Sequence, residues 1–306
     1  MLNQIFLKEM EDKNWQEVSG QIRNFIRETV KKFNKDGVII GLSGGIDSAV
    51  VAYLTSQALK DKQVLFLIMP DRDSNKENIK NAQEIAKILK REYKKIDLTP
   101  ILKEIGIYRL IPKFFLNERI VKKLFNHLKN KIKSQMLHSK GILGFTTFDF
   151  ASRRATAYAL PKLRLRSLLL YYFGVLKNLL VCGTTNKTEY LIGHYDKYGD
   201  GACDIEPIRY LYKTQVKKLA HFLNVPEKII KKSPSPDLFA GSIMTDESWM
   251  GMTFEQLDSI LYGLEKKIEK NKLAEILNID VKTIEEVEKA KQNEMLKRKM
   301  PLSLEI

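Results

Sequence analysis

The feature that most constrains the fold is an eight-residue loop, GLSGGIDS, at residues 41–48. The apolar run at 38–40 that precedes it predicts a buried strand, and the small, apolar residues 49–54 that follow predict a buried helix. Strand, glycine-rich loop and helix in this order form an anion-binding unit, because loop amides and the helix N-terminus both favour negative charge. The sequence therefore predicts an α/β protein that binds a phosphate.

The loop differs from a Walker loop, in which a lysine reaches the terminal phosphates. Asp47, followed by Ser48, stands in the corresponding place. A carboxylate beside a phosphate requires a cation between them, so we expect Mg²⁺ at Asp47. The segment resembles the pyrophosphate-binding loop of the PP-loop ATPases. That resemblance implies cleavage of ATP between its α- and β-phosphates, with ATP held by Gly41, Leu42, Ser43, Gly44, Gly45, Ile46, Asp47 and Ser48.

Strand and helix patterns alternate along much of the chain. They predict helices at 16–33, 46–60, 76–90 and 166–176, and strands at 38–41, 64–69, 93–98 and 179–183. Such alternation predicts a Rossmann-like, doubly wound parallel sheet flanked by helices, whose ligands bind beyond the carboxyl ends of the strands. We expect one domain over 1–306, with a basic, mostly helical insert at about 100–162 and a helical C-terminal tail at about 253–306.

The net charge of +15 is concentrated in one segment. Between Lys103 and Arg166 there are fifteen lysines and arginines and three acids, which is a surplus of twelve positive charges. The lysine spacing fits the solvated face of a helix, and we favour that interpretation over a surface for a polyanion. The segment 273–290 resembles a helix-turn-helix, but its second helix is rich in glutamate, which phosphates repel. Nucleic acid is therefore not expected as a partner, and a tail that closes over an active site fits better.

Composition and cysteine usage indicate a cytoplasmic enzyme. The hydrophobic and charged fractions, 44% and 29%, are ordinary for globular proteins. The N-terminal residues do not have the pattern of a signal peptide, and the most apolar stretch, 167–182, is too short and interrupted to span a membrane. Cys182 and Cys203 form no CxxC motif, so neither a disulfide framework nor a zinc site is expected.

A second group of polar residues follows the strand predicted at 179–183. The segment GTTNKTE ends in Glu189, and because neighbouring parallel strands end at the same edge, we expect Glu189 to face Asp47 and complete the magnesium site. Lys213 lies near the start of a later predicted helix. Each residue taken alone has a plain structural explanation, but together they indicate an active site.

The segment 193–207 between them is unusually rich in glycine, aspartate and lysine. Gly199 and Gly201 would permit tight or positive-φ turns, and Asp200 and Asp204 would accept ribose hydroxyls or amide protons. Lys197 would supply a cation. The segment is therefore a candidate binding loop for a polar substrate.

Three segments, GTTNKTE, KYGDGACDIEP and LYKTQVKKLA, follow SGGIDS along the chain. Their sequences and their order resemble those of the ammonia-dependent NAD⁺ synthetase family. The resemblance covers most of the chain. It implies a homodimer, joined through the helix after Arg166, that adenylates the nicotinate carboxylate of deamido-NAD⁺ with Mg-ATP before ammonia displaces AMP. It also implies ATP contacts from Thr184, Lys213 and Ser235, magnesium at Asp47 and Glu189, and substrate contacts from Arg164, Lys197, Asp204, Leu296 and Lys297.

Lys197 and Lys213 are the candidate catalytic residues, because negative charge builds on phosphate oxygens during adenylation. Leu296 stands where the family has histidine, and the insert exceeds the family's usual length. SGGIDS begins too early to leave room for the amidase domain of glutamine-dependent members, so we expect free ammonia or ammonia from a separate partner subunit. The alternatives are another PP-loop adenylating ligase, acting on a different carboxylate or on tRNA, and a non-catalytic binding protein.

Overall fold

Four parallel strands form the centre of the molecule in the order β3-β2-β1-β4. They are β1 (Gly37–Gly41), β2 (Gln63–Ile68), β3 (Tyr93–Lys95) and β4 (Leu179–Cys182). In the computed structural model, Ile40 of β1 pairs with Phe66 on one side and Cys182 on the other, so these strands end at one edge. The predicted parallel, doubly wound sheet is confirmed. Its direction of growth reverses between β1 and β4, where such sheets bind their ligands.

Helices cover both faces of this sheet. The structure describes residues 12–60, 62–111, 150–233, 238–239 and 245–293. In chain order the helices of these residues are α1 (Trp15–Lys32), α2 (Ile46–Ala58), α3 (Lys76–Ile88), α4 (Thr99–Glu104), α5 (Ile107–Leu110), α6 (Phe150–Leu176), α7 (Lys187–Ile192), α8 (Lys213–Phe222), α9 (Glu227–Ile230), α10 (Asp246–Met250), α11 (Phe254–Glu265), α12 (Lys270–Leu277) and α13 (Val281–Asn293).

Strand side chains alternate between two cores, because successive residues of a strand point to opposite faces. Val38 and Ile40 pack in the core that contains α1, α2, α3 and α8. Ile39 packs in the other core, against α4 and α6. A third core joins α11, α12 and α13, which form the described part of the predicted C-terminal tail. None of the helices in the described parts of the chain combines the length and apolar character needed to cross a membrane.

Helix α2, which follows the glycine-rich loop, is enclosed by other elements of the fold. It packs against α1 and α8 as well as the sheet, and residues Ser48 to Ser56 are all buried. A helix with apolar or small residues on every side is stable only inside a protein. This enclosure fixes the position of its first turn and therefore of the loop that leads into it.

Two predicted elements differ from their observed bounds by more than two residues. The strand predicted at 93–98 ends at Lys95, and the chain enters α4 at Thr99, whose backbone N–H donates to Asp97 Oδ1 at 2.9 Å. The helix predicted at 166–176 begins at Phe150 and continues through Pro161. Residues 150–162, which the sequence predicts to belong to the insert, are therefore the first half of α6. The rest of the insert beyond Ile111 lies outside the described residues.

Candidate active site

The glycine-rich loop is held in shape by its own serines. The Ser48 hydroxyl lies 2.9 Å from that of Ser43 and donates to the Gly45 carbonyl oxygen at 3.0 Å. Gly44 has φ +83°, and a Cβ there would overlap the carbonyl oxygen of Asn78, so only glycine fits. Helix α2 begins directly after Gly45, and the N–H groups of its first turn have no partner within the helix. The loop therefore presents backbone donors to the edge of the sheet, as the phosphate-binding interpretation requires.

Three charged side chains converge beside this loop. Asp47 lies in the first turn of α2, Glu189 lies in α7 after β4, and Lys213 is the first residue of α8. The Lys213 ammonium donates to Asp47 Oδ2 and lies 3.6 Å from Glu189 Oε1. The side chain of Lys213 is only 7% exposed. The predicted approach of Asp47 and Glu189 across the crevice is thus present, with Lys213 between them.

Asn186, which is not among the predicted site residues, orients both carboxylates. Its side-chain NH₂ group donates to Asp47 Oδ1 at 2.9 Å, and its Oδ1 accepts from the backbone N–H of Glu189 at 3.0 Å. Glu189 Oε2 in turn accepts from the backbone N–H of Asn186 at 3.2 Å. This reciprocal pair is a capping box, and the spacing of an N-cap residue and a glutamate three residues later was the available signal.

The charges of this cluster influence one another strongly. Burial, together with the nearby charge of Asp47, raises the pKa of Glu189 to about 7. Burial lowers the pKa of Lys213, but the carboxylates of Asp47 and Glu189 outweigh it, so the net shift is upward. Lys213 is therefore a permanent cation, and the two carboxylates crowd negative charge at one point. That crowding favours binding of a further cation.

The same pair of carboxylates suits a magnesium ion. Mg²⁺ is commonly held by one or two protein carboxylates together with phosphate oxygens and water. Across the described ranges there is no cluster of three or more His, Cys, Asp or Glu side chains that would form a closed metal site. Asp47 and Glu189 are two such carboxylates, each within 3.6 Å of the Lys213 ammonium.

Arg164 and Lys197 lie together in a second group. Arg164, in α6, forms a forked ion pair with Asp196, with Nε–Oδ2 and Nη2–Oδ1 distances of 2.9 and 3.3 Å. The Arg164 guanidinium lies 5.8 Å from the centre of the Tyr198 ring, and the Lys197 ammonium lies 5.5 Å from it. Asp196 and Tyr198 were not among the predicted site residues. They give this cationic group fixed neighbours on the 193–207 segment.

Asp204 and the glycines of this segment have structural contacts. Asp204 accepts the backbone N–H of Val181 at 2.7 Å and the Tyr171 hydroxyl at 3.1 Å, so it joins the segment to β4. Gly199 and Gly201 lie in the tight turn that was one of the two expectations, with their backbone N–H groups donating to the Asp196 carbonyl oxygen at 3.0 and 2.9 Å, but neither has a positive φ. A Cβ on Gly199 would instead lie 2.8 Å from that of Leu163, so close packing against α6 is the reason for glycine.

A buried ionic cluster lies at the loop that follows β2. The Lys162 side chain of α6 is fully buried, with its ammonium 2.6 Å from Asp73 and 3.6 Å from Asp71. It also donates to the carbonyl oxygen of Leu238 at 2.7 Å, and Tyr158 donates to Asp73. The signal that sequence reasoning passed over was a pair of acids directly after a strand end. The cluster fixes α6 against the loop that follows β2.

The predicted site residues thus separate into two described groups. The loop 41–48, Thr184, Glu189 and Lys213 lie at the β1–β4 edge, and Arg164, Lys197 and Asp204 lie on α6 and the 193–207 segment. Ser235, Leu296 and Lys297 lie outside the described residues, so their predicted contacts remain predictions.

Comparison with known protein families gives a match over nearly the whole chain. The family described as NAD synthase matches residues 18–110 and 111–301. The chain is 44% identical over 285 residues to the NH₃-dependent NAD⁺ synthetase of Thermotoga neapolitana, covering 92% of this chain and 94% of that protein. It is 38% identical to the enzyme of the same description from Methanocaldococcus jannaschii, covering 95% and 97% of the two chains.

Solved structures give the same picture of the fold. The NH₃-dependent NAD synthetase of Campylobacter jejuni superposes with a TM-score of 0.65 at 31% identity, covering 96% of this chain and all of that one. The NMN synthetase of Francisella tularensis superposes with a TM-score of 0.72 at 26% identity and the same coverage. The sheet edge described above therefore belongs to a shared architecture.

Proposed function

The chain belongs to the NAD synthase family, and from that membership we propose how its residues make NAD⁺ from deamido-NAD⁺, ATP and ammonia. The protein is a ligase that forms a C–N bond. The observation that carries the proposal is the cluster of Asp47, Glu189 and Lys213 beside the loop at 41–48, at the sheet edge where doubly wound folds bind ligands.

We assign the pyrophosphate of ATP to the loop Gly41–Ser48. The rigid serine contacts and the first-turn amides of α2 hold donors in place before the nucleotide arrives, so little reorganisation is needed. Thr184 lies just past the end of β4 at the same edge, and Lys213 points at Asp47 beside the loop. These residues, with Ser235, are the proposed ATP contacts.

Arg164 and Lys197 are the proposed contacts to the dinucleotide. Two cations around the Tyr198 ring suit a substrate that carries its own pyrophosphate and flat rings. Asp204, although held by Val181 and Tyr171, is exposed, and with Leu296 and Lys297 it completes the proposed substrate set. The substrate carboxylate must reach the α-phosphorus held next to Lys213.

In the first step an oxygen of the nicotinate carboxylate forms a bond to the α-phosphorus, and the bond to the β-phosphate oxygen breaks. Pyrophosphate leaves with its charge held by the loop amides of Gly44 and Gly45 and by the Lys213 ammonium. In the second step ammonia forms a bond to the carboxyl carbon, loses a proton and expels AMP. Lys213 and Lys197 stabilise the charge on the phosphate oxygens throughout.

Asp47 and Glu189 are the proposed ligands of Mg²⁺. Their oxygens fit the hard-cation preference of that ion, and the raised pKa of Glu189 marks a point where added positive charge is stabilising. The chemistry that Mg²⁺ supplies when bound is neutralisation of charge on the ATP phosphates. Asn186 holds both carboxylates in place for it. A cytoplasmic location is proposed because the reaction consumes ATP.

We also propose a homodimer, formed through α6. Leu168, Tyr172, Val175 and Leu176 lie on that helix and are each more than half exposed, from 57% to 80%. A contiguous apolar surface of this kind usually marks a protein interface. A separate subunit that delivers ammonia remains the proposed alternative to free ammonia.

The function is tested by incubating the purified chain with Mg-ATP, ammonium and deamido-NAD⁺. We expect NAD⁺, AMP and pyrophosphate in equal amounts, measured by chromatography and a coupled pyrophosphate assay. Nicotinate mononucleotide and tRNA are the comparison substrates, because an NMN synthetase has a similar structure and other PP-loop ligases modify tRNA. Formation of ADP, or a preference for either comparison substrate, would contradict the proposal.

The metal assignment predicts that Asp47→Ala and Glu189→Ala each lower kcat by about 100-fold or more, because each removes a ligand and a partner of Lys213. The measurement is pyrophosphate release at saturating Mg-ATP. Glu227→Ala is the matched control, since this carboxylate is more than half exposed and lies on α9. Near-normal rates for the two site variants would show that the magnesium site is elsewhere.

The dimer assignment predicts that Val175→Glu gives a monomer at micromolar concentration, because a charge would have to be buried at the interface. Size-exclusion chromatography with light scattering measures the mass. Phe25→Glu, an exposed apolar position on α1, is the control and should leave the mass of a dimer. A wild-type monomer, or a dimer for Val175→Glu, would rule out α6 as the interface.

A further inference from the structure

One face of α11 lies against the proposed active site. Phe254, Asp258 and Glu265 are four and seven residues apart, which places them on the same side of the helix. The ring centre of Phe254 lies 5.3 Å from the Lys213 ammonium. At the other end, Glu265 accepts from Lys187 and from the Tyr212 hydroxyl. Asp258 lies between these two contacts, fully buried.

The Asp258 carboxylate is saturated by hydrogen bonds from the site elements. Its Oδ1 accepts from the Thr188 hydroxyl of α7. Its Oδ2 accepts from the backbone N–H and the hydroxyl of Thr214, in the first turn of α8, at 2.8 and 2.9 Å. A fully buried carboxylate is costly unless every oxygen is paired, so three donors from two other helices indicate a fixed arrangement. Burial raises the pKa of Asp258 to about 6, so at neutral pH it is largely ionised.

These hydrogen bonds continue to the backbone of Lys213. The Thr188 hydroxyl oxygen accepts the N–H of Lys213 at 2.9 Å while it donates to Asp258. Thr188 and Glu189 are neighbours in α7, and Lys213 and Thr214 are neighbours in α8. The Asp258 carboxylate therefore holds the residue next to Glu189 in α7 and the residue next to Lys213 in α8.

On this geometry, and resting on the proposed function, we propose that Asp258 is a positioning residue that sets the Lys213 ammonium and the Glu189 carboxylate for adenylation. It touches neither ATP nor the dinucleotide. Because Asp258 acts through backbone and threonine contacts, its loss displaces Lys213 from the α-phosphate. Every side chain that contacts the substrates is still present. Displacements of about 1 Å are enough to lower catalytic rates by about 100-fold.

The test is a double-mutant cycle between Asp258→Ala and Lys213→Arg, with radiolabelled ATP to follow AMP formation from deamido-NAD⁺. Asp258→Ala should lower kcat by about 100-fold in the wild-type background. In the Lys213→Arg background it should lower kcat by less than about fivefold, because the cation is already displaced. Equal effects in the two backgrounds would mean that Asp258 acts only through stability, and the proposal would be wrong.

Glu265→Gln is the matched control, since it weakens the other polar anchor of α11 without touching Thr188, Thr214 or Lys213. Its kcat should stay within about threefold of wild type. Thr188→Val is the second route, because it keeps the side-chain shape and removes the hydroxyl between Asp258 and Lys213. We expect an intermediate loss of about tenfold even if Asp258→Ala does not fold. Full activity of Thr188→Val would overturn the proposal, whereas a wild-type chain that makes no NAD⁺ would overturn the proposed function instead.

Discussion

The placement of Lys213 between Asp47 and Glu189 is the interaction on which the site depends. The carboxylates come from segments after β1 and β4, and the lysine from the start of α8, so none of the three positions is local to another. Removing one partner of a buried ion pair costs about 3–5 kcal/mol, because the remaining charge is left without compensation. The site therefore requires that the sheet register, the Asn186 capping box and the docking of α8 all be correct together.

Two buried side chains outside this cluster keep that arrangement fixed. Asp258 of α11 binds the first turn of α8 and the Thr188 hydroxyl, and Lys162 of α6 binds the aspartates after β2. Both side chains are fully buried, and both have hydrogen-bonding partners on elements distant in sequence. The edge of the sheet is thus enclosed from two sides by buried polar contacts rather than by apolar packing alone. Such contacts have directional requirements that set geometry within tenths of an ångström.

The sequence predicted the sheet, the loop and the approach of Asp47 to Glu189, because strand patterning and parallel topology bring consecutive strand ends to one edge. It did not predict that α6 begins at Phe150, since Pro161 suggests a break that burial of Tyr158 and Lys162 overrides. Asp258 was not selected either. An aspartate within an amphipathic helix resembles any solvated residue, and only the tertiary contacts of Thr188 and Thr214 distinguish it.

Adenylation of the substrate carboxylate is measured most directly by following its oxygen atoms into the products. Deamido-NAD⁺ labelled with oxygen-18 in both carboxyl oxygens is converted with Mg-ATP and ammonium, and the products are examined by mass spectrometry. Attack of the carboxylate on the α-phosphorus, held at the Asp47, Glu189 and Lys213 cluster, predicts one oxygen-18 in AMP and one in the amide of NAD⁺. Unlabelled AMP, or label in pyrophosphate or inorganic phosphate, would show that the carboxylate does not attack the α-phosphorus.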